Sequence, residues 1–326
     1  SIDRYLSATE RKIALLPACS NSPPVSRPKA ASPFPVDTIG RSGKSSGNIF
    51  SIAAVWQTRI MPRTWKPTPT IQLSIATHLA AGLSLLAAPA HWPWALGALA
   101  ANQALLTAAG LLPRCRLLGP NLTRLPRAAT ERREIVLTFD DGPDPEVTPR
   151  VLDLLDVAGV KASFFCIGRY ARQHPAICRD IIRRGHTVEN HGDSHSWAFA
   201  AFGRGRIRAD IGDAQKSLAD ITGQKPDFFR PTAGLRNPLL EPVLAELDLH
   251  LATWTRRPYD TQNGKPETIL RRLTHQLGPG DILLMHDGHA AATPTGEPVV
   301  LAILPHLLES IRTHRLNTVT LTAALT

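Results

Sequence analysis

From residue 131 to residue 326, short apolar runs alternate with longer amphipathic ones, and this alternation limits the possible folds more than any other feature of the chain. Strands are expected at 134–139, 161–167, 186–190, 227–230, 250–254, 281–285 and 317–321. Helices are expected between them, at 147–158, 169–184, 205–222, 238–247, 266–277 and 298–314. A helix between two strands returns the chain to the same sheet edge, so the repeat implies a parallel α/β sheet. About seven strands suit a barrel or a doubly wound sheet, and both place function at the carboxyl ends of the strands.

Several chemically capable side chains fall at those ends. "TFDDGPDP" closes the first strand with Asp140 and Asp141 side by side. Neighbours on a strand point to opposite faces, so the two share a site only if the chain turns, and Gly142-Pro143 signals a turn. The plainer reading makes both turn formers and Asp144 a helix cap. "NHGDSHS" follows the third strand, with His191 and His195 at a spacing that puts both on one face of a helical turn. Two histidines and one aspartate with open positions are the makings of a catalytic divalent site. His286 closes the sixth strand in "LLMHDG". Arg230 ends "DFFR", and Asp260 follows in "WTRRPYD". An arginine beside a carboxylate holds it ionised and fixes its direction, and a carboxylate beside a histidine keeps the ring protonated nearer neutrality. Singly, each has an ordinary reading as a surface histidine, an ion pair or a cap. Their placement at one end of one expected sheet argues for a site.

In that order, "TFDDGP", "NHGDSH", "FFRPTAG", "WTRRPYD" and "LLMHD" resemble the five motifs of the polysaccharide deacetylase family, also called the NodB-homology domain or carbohydrate esterase family four. The resemblance covers about residues 131–326 and implies a distorted (β/α) barrel of about seven parallel strands. It implies that Asp140 is the general base, that Asp141, His191 and His195 hold a divalent metal, usually zinc, and that His286 is the general acid. Arg230 then orients Asp140, Asp260 tunes His286, and a backbone N–H near Ala233 completes an oxyanion hole. Two positions depart from the pattern. Thr232 and Ala233 follow Arg230-Pro231 where the family has an aromatic residue, and Thr261 follows Asp260 where a tryptophan is common. Both aromatics wall the sugar groove, so the departures bear on the substrate more than on the reaction.

The remainder of the chain is of another kind. Residues 67–113 contain no Lys, Arg, Asp or Glu, and two apolar runs, about 71–90 and 95–113, are separated by "HWPW". Each approaches the ~20 residues that cross a bilayer core. Trp92, Pro93 and Trp94 suit an interfacial turn. The expected organisation is a basic Pro/Ser-rich segment at 1–66, a transmembrane helical hairpin at 67–116, a linker at 117–130 and the deacetylase domain at 131–326. Residues 1–60 read as poorly ordered. Arg59, Arg63 and Lys66 precede the apolar runs, and Arg114, Arg116, Arg124 and Arg127 follow them. If both runs span, the positive-inside rule puts both ends in the cytoplasm; if only one spans, with the N-terminus inside, the domain lies outside.

Charge narrows the partners. Residues 1–130 hold 14 Lys and Arg against 3 Asp and Glu, whereas residues 131–326 hold 23 against 24. The basic excess lies wholly in the N-terminal part, which argues against a nucleic-acid groove in the domain. Cysteines at 19, 115, 166 and 178 are too few for a disulfide scaffold, although Cys166 and Cys178 are a candidate pair. The expected function is a membrane-anchored, metal-dependent N-deacetylase acting on an amino sugar of a polysaccharide, at the bacterial inner membrane. The alternatives are a deacylase or deformylase of a lipid-linked sugar, and a non-catalytic carbohydrate-binding protein of the same fold.

Overall fold

In the computed structural model, residues 63–326 are described, so most of the Pro/Ser-rich segment lies outside them. The described residues begin with two helices, α1 (Pro69–Ala87) and, after a 3-10 turn at Pro89–His91, α2 (Trp92–Leu111). Thr68 caps α1 by accepting a hydrogen bond from the Ile71 amide (3.3 Å), and Pro69 fills the first turn, where a missing N–H costs nothing. Asn102 of α2 donates to the Ser74 hydroxyl of α1 (3.0 Å), fixing the two helices against each other. Their outer faces stay bare: Leu79, Leu83 and Leu86 are 64%, 67% and 83% exposed. Both helices are long and apolar enough to cross a membrane, by length and composition.

Residues 117–130 are tied into the domain rather than slung between two parts. Leu118, Leu125 and Ala129 are buried. The Leu122 amide donates to the Leu251 carbonyl, and Thr253 donates back to Leu122, each at 2.9 Å. This segment ends in the short helix α3 (Arg127–Glu131).

All seven expected strands form: β1 (Glu134–Asp140), β2 (Ser163–Cys166), β3 (Thr187–Asn190), β4 (Phe228–Phe229), β5 (His250–Leu251), β6 (Ile282–His286) and β7 (Asn317–Thr318). Every pairing is parallel, in the order β5-β4-β3-β2-β1-β6, with β7 beside β1. The sheet curls until its edges meet. Beyond β5 the chain runs irregularly to Arg256, which bridges to Leu283 of β6; the Thr255 amide donates to Ile282 (2.9 Å), and Leu284 donates to Arg256 (3.0 Å). The result is a distorted barrel, not a doubly wound sheet.

Helices α4 (Val147–Ala158), α5 (Gly168–Gln173), α6 (Pro175–Arg183), α7 (Arg204–Thr222), α8 (Leu240–Glu246), α9 (Pro266–Thr274) and α10 (Val299–Thr313) cover the outside, and α11 (Leu321–Ala324) ends the chain. The single helix expected at 169–184 is two. Pro175 crowds the backbone before it, and His174 leaves the helical region at φ −126°, ψ 54°. Alternation along β1 divides the core. Ile135, Leu137 and Phe139 face the helices, with Phe139 stacked on Phe164 at 5.0 Å, while Val136 joins Phe165, Phe228 and Ile282 inside the barrel. Thr138 and Asp140 share the inner face, which delivers Asp140 to the barrel mouth. Cys166 and Cys178 are free thiols buried in the outer core.

Candidate active site

Strand register brings the first two residues of the site together. Asp140 pairs with His286 across β1 and β6, so the base candidate and the acid candidate leave adjacent strands at the same height. Asp141 then turns out of the strand at φ 73°, a left-handed conformation unusual outside glycine. That turn brings its carboxylate to the same mouth that Asp140 faces. Asp144 keeps a structural part: its Oδ1 accepts from the Glu146 and Val147 amides (2.9 and 2.8 Å) at the start of α4.

Arg230, just past β4, is wholly buried inside the barrel. Its guanidinium donates to Asp140 Oδ1 (2.6 Å), to the Thr138 hydroxyl (2.9 Å) and to the carbonyls of Ala252 (3.1 Å) and Thr253 (2.8 Å), and it lies on the Phe165 ring at 3.9 Å. One carboxylate oxygen of Asp140 is thereby held. The other lies 3.8 Å from His191 Nε2. A buried charge needs such a satisfied partner.

The histidine pair arrives by a different route from the one its spacing suggested. Residues 191–195 form a loop, not a helical turn, with Gly192 at φ 76° and His195 at φ 48°. The loop is held from outside: Asn190 Oδ1 accepts from the Gly192 amide (2.8 Å), and Asp210 of α7 accepts from Asp193 (3.3 Å) and Ser194 (3.0 Å). A Cβ at residue 192 would lie 2.6 Å from the Asp210 carboxylate, so the close approach also requires glycine. Both rings still reach Asp141, with Nε2 of His191 at 3.2 Å and of His195 at 2.9 Å from its Oδ1.

The donor set fits a cation. His191 Nδ1 lies 2.6 Å from the Arg230 carbonyl, which only accepts, so Nδ1 carries the proton and a neutral ring presents a lone pair at Nε2. That lone pair faces Asp141 Oδ1, which is buried and has no hydrogen-bond donor. One ligand atom from each of His191, His195 and Asp141 lies within 4.8 Å of the other two, a donor set of two imidazoles and a carboxylate that a divalent cation would satisfy.

On the opposite side, Asp260 is wholly buried and takes two bonds from His286, from its amide (2.8 Å) and from its ring Nδ1 (2.7 Å). Burial disfavours the imidazolium, but the Asp260 charge and hydrogen bond outweigh it and raise His286 to about 9. Asp140, Asp141, His191, His195 and His286 all line one cavity of about 870 Å³.

The conserved-domain model described as polysaccharide deacetylase matches residues 127–252. A peptidoglycan-N-acetylglucosamine deacetylase of Bacillus cereus is 33% identical over 175 residues, covering 53% of this chain and 81% of that protein. The chain belongs to the polysaccharide deacetylase family. It is thus one of a group of hydrolases that cut linear amides. A chitooligosaccharide deacetylase of Azorhizobium caulinodans is 32% identical over 163 residues, covering 50% of this chain and 77% of the relative. Among solved structures, a peptidoglycan N-acetylglucosamine deacetylase in complex with a hydroxamate-bearing benzamide superposes with a TM-score of 0.57 at 29% identity, covering 63% of this chain and 92% of that one.

Three features of this deacetylase lie outside the five motifs or carry no signal within them. His289 sits 3.5 Å from Asp141 Oδ2 and stacks on His195 at 6.2 Å between ring centres; only its place three residues past His286 hinted at this. Asp287 is buried beside the β1 turn, where burial pushes it up to about 7, and it accepts from the Thr148 hydroxyl (2.6 Å). Trp197 and Trp254 both line the cavity. Two tryptophans therefore wall a pocket in which Thr232, Ala233 and Thr261 occupy the positions where aromatics were expected.

Proposed function

We propose that this chain removes an N-acyl group, in the first instance acetyl, from an amino sugar of a glycan. The observation that carries the reading is the meeting at one cavity of Asp140, held from behind by Arg230; of His286, held from behind by Asp260; and of Asp141 with His191 and His195. The names of the relatives, which act on peptidoglycan N-acetylglucosamine and on chitooligosaccharide, support the sugar substrate.

Asp141, His191 and His195 would hold the metal, and two imidazoles with one carboxylate suit zinc. Bound there, a divalent ion supplies Lewis acidity toward water and toward the amide carbonyl. The remaining chemistry belongs to the side chains. Asp140, held by Arg230 through Oδ1, presents Oδ2 to take a proton from the attacking water. Water adds to the carbonyl carbon and the carbon–nitrogen bond breaks. His286, protonated below about 9, gives its proton from the ring nitrogen not bound to Asp260 to the leaving amine. The products are the free amino sugar and a carboxylic acid, which gives up its proton to the amine or to solvent, and the proton taken by Asp140 restores His286 through solvent.

Asp140→Asn is expected to lower kcat by about 10²–10⁴-fold, the usual worth of a general base, while leaving bound metal unchanged. His191→Ala is expected to lose the metal as measured by mass spectrometry. Near-normal acetate release by the Asp140→Asn protein would overturn the assignment. Around this chemistry, α1 and α2 serve as the anchor of the enzyme at the bacterial inner membrane, and their flanking arginines favour the cytoplasmic side.

A further inference from the structure

A second cavity, of about 960 Å³, lies where the foot of α2 meets the barrel. Arg114, Arg256, Arg257, Arg271, Arg272 and His275 line it, and among the described residues its lining contains no carboxylate. Three separate parts of the chain supply these side chains: the residues after α2, the irregular run beyond β5, and the end of α9. Arg256 is spoken for, since it pairs with Asp281 at 2.6 Å. Among the described residues, Arg114, Arg257, Arg271 and Arg272 have no carboxylate partner within salt-bridge distance. Arg114 and Arg272 each donate to one backbone carbonyl, of Thr255 (3.3 Å) and Pro258 (2.8 Å), which leaves most of each guanidinium open. Arg257 lies over Trp254 (5.1 Å) and Tyr259 (4.9 Å), and its Nε is buried with no partner. A buried donor without an acceptor is costly, and forked guanidiniums match phosphate oxygens in pairs.

Position defines the ligand further. Trp254 and Arg257 line this cavity and the catalytic one alike, so the two share a wall. On its other side the cavity begins at Leu112 and Pro113, directly after the apolar helix α2. If α1 and α2 cross the bilayer, the arginines stand at the level of lipid headgroups, where phosphate is found. We propose that this cavity binds the phosphate of a phosphate ester presented at the membrane surface, next to the amide that the enzyme cuts. The ester is either the phosphate that links the sugar substrate to a lipid or the headgroup of an anionic lipid. The proposal rests on the deacetylase reading for its position beside the chemistry, but the binding of phosphate does not depend on it.

The test is calorimetric titration of inorganic pyrophosphate into the detergent-solubilised full chain. A chelator removes divalent ions first, so that the catalytic pocket cannot hold the probe through a cation. The wild-type chain is expected to bind, and Arg114→Gln/Arg271→Gln to bind at least about tenfold more weakly. The charge-matched control Arg179→Gln/Arg312→Gln, on α6 and α10, is expected to match the wild type. Repeating the titration in phosphatidylcholine vesicles with and without phosphatidylglycerol separates the sources. Competition by phosphatidylglycerol identifies a headgroup site. Binding that persists, with pyrophosphate inhibiting acetate release from polyprenyl-diphosphate-linked N-acetylglucosamine more than from chitooligosaccharide, identifies the substrate's phosphate. Absence of binding by the wild type, or equal losses in the double variant and the control, overturns the proposal. Binding without acetate release from either sugar overturns the deacetylase reading and leaves the phosphate site standing.

Discussion

Asp140 and Asp141 are chemically identical neighbours with different surroundings. Asp140 leaves a strand into the barrel mouth and meets a buried guanidinium, whereas Asp141 turns through a left-handed backbone and meets imidazole lone pairs. His286 owes its charge to Asp260 in the same way. Since its raised pKa keeps the ring protonated below about 9, activity is expected to fall as pH rises through that value. Asp260→Asn removes the stabilising charge but leaves the burial, so the imidazolium becomes less favoured. The alkaline limb of kcat/KM is expected to move down by about 1–3 pH units. An unmoved limb in a pH–rate profile of the variant would remove Asp260 from the mechanism.

At the scale of elements, α2 and the loop that walls the site are one packed unit. The Arg236 amide donates to the Gly110 carbonyl (3.1 Å), and a Cβ on residue 110 would lie 2.2 Å from the Arg236 carbonyl oxygen. Arg236 also holds the Cys115 carbonyl, and Leu106, Ala109 and Leu118 close the contact. Gly110→Ala therefore forces helix and loop apart. It is expected to cost about 1–3 kcal/mol, read as a lower Tm of the full chain in detergent. An unchanged Tm would mean that the two pieces separate freely. The same scale shows why some expectations drawn from spacing needed revision. An i, i+4 histidine pair suggests a helix, but Gly192 and the Asp210 carboxylate make a loop that converges the rings equally well. The split of 169–184 at Pro175, by contrast, follows from a residue plainly visible in the sequence.

For the whole molecule, the apolar pair leaves large leucines uncovered while the barrel keeps its own core closed. The full chain is expected to remain in the membrane fraction after an alkaline wash. Leu79→Asp/Leu83→Asp places two charges on exposed positions of α1, each worth roughly 2.5–3.5 kcal/mol against insertion, and is expected to release the protein. A wild-type chain recovered in the soluble fraction would refute the anchor.

The parallel α/β class, the seven strands and the seven candidates proposed for the site were legible in the residues, because alternation and five ordered motifs are local patterns of short range. The choice of a barrel over a doubly wound sheet came from the resemblance those motifs carry. What binds the candidates into a site was not legible there. The pairing of Asp140 with His286, the arginine threaded inside the barrel, and the approach of His289 to Asp141 depend on register and on side chains far apart in sequence. The arginine-lined cavity is of the same kind. In the sequence Arg114 is a cation flanking an apolar run, Arg257 one residue of a motif and Arg271 part of a helix, and only closure of the barrel against the foot of α2 places them around one space.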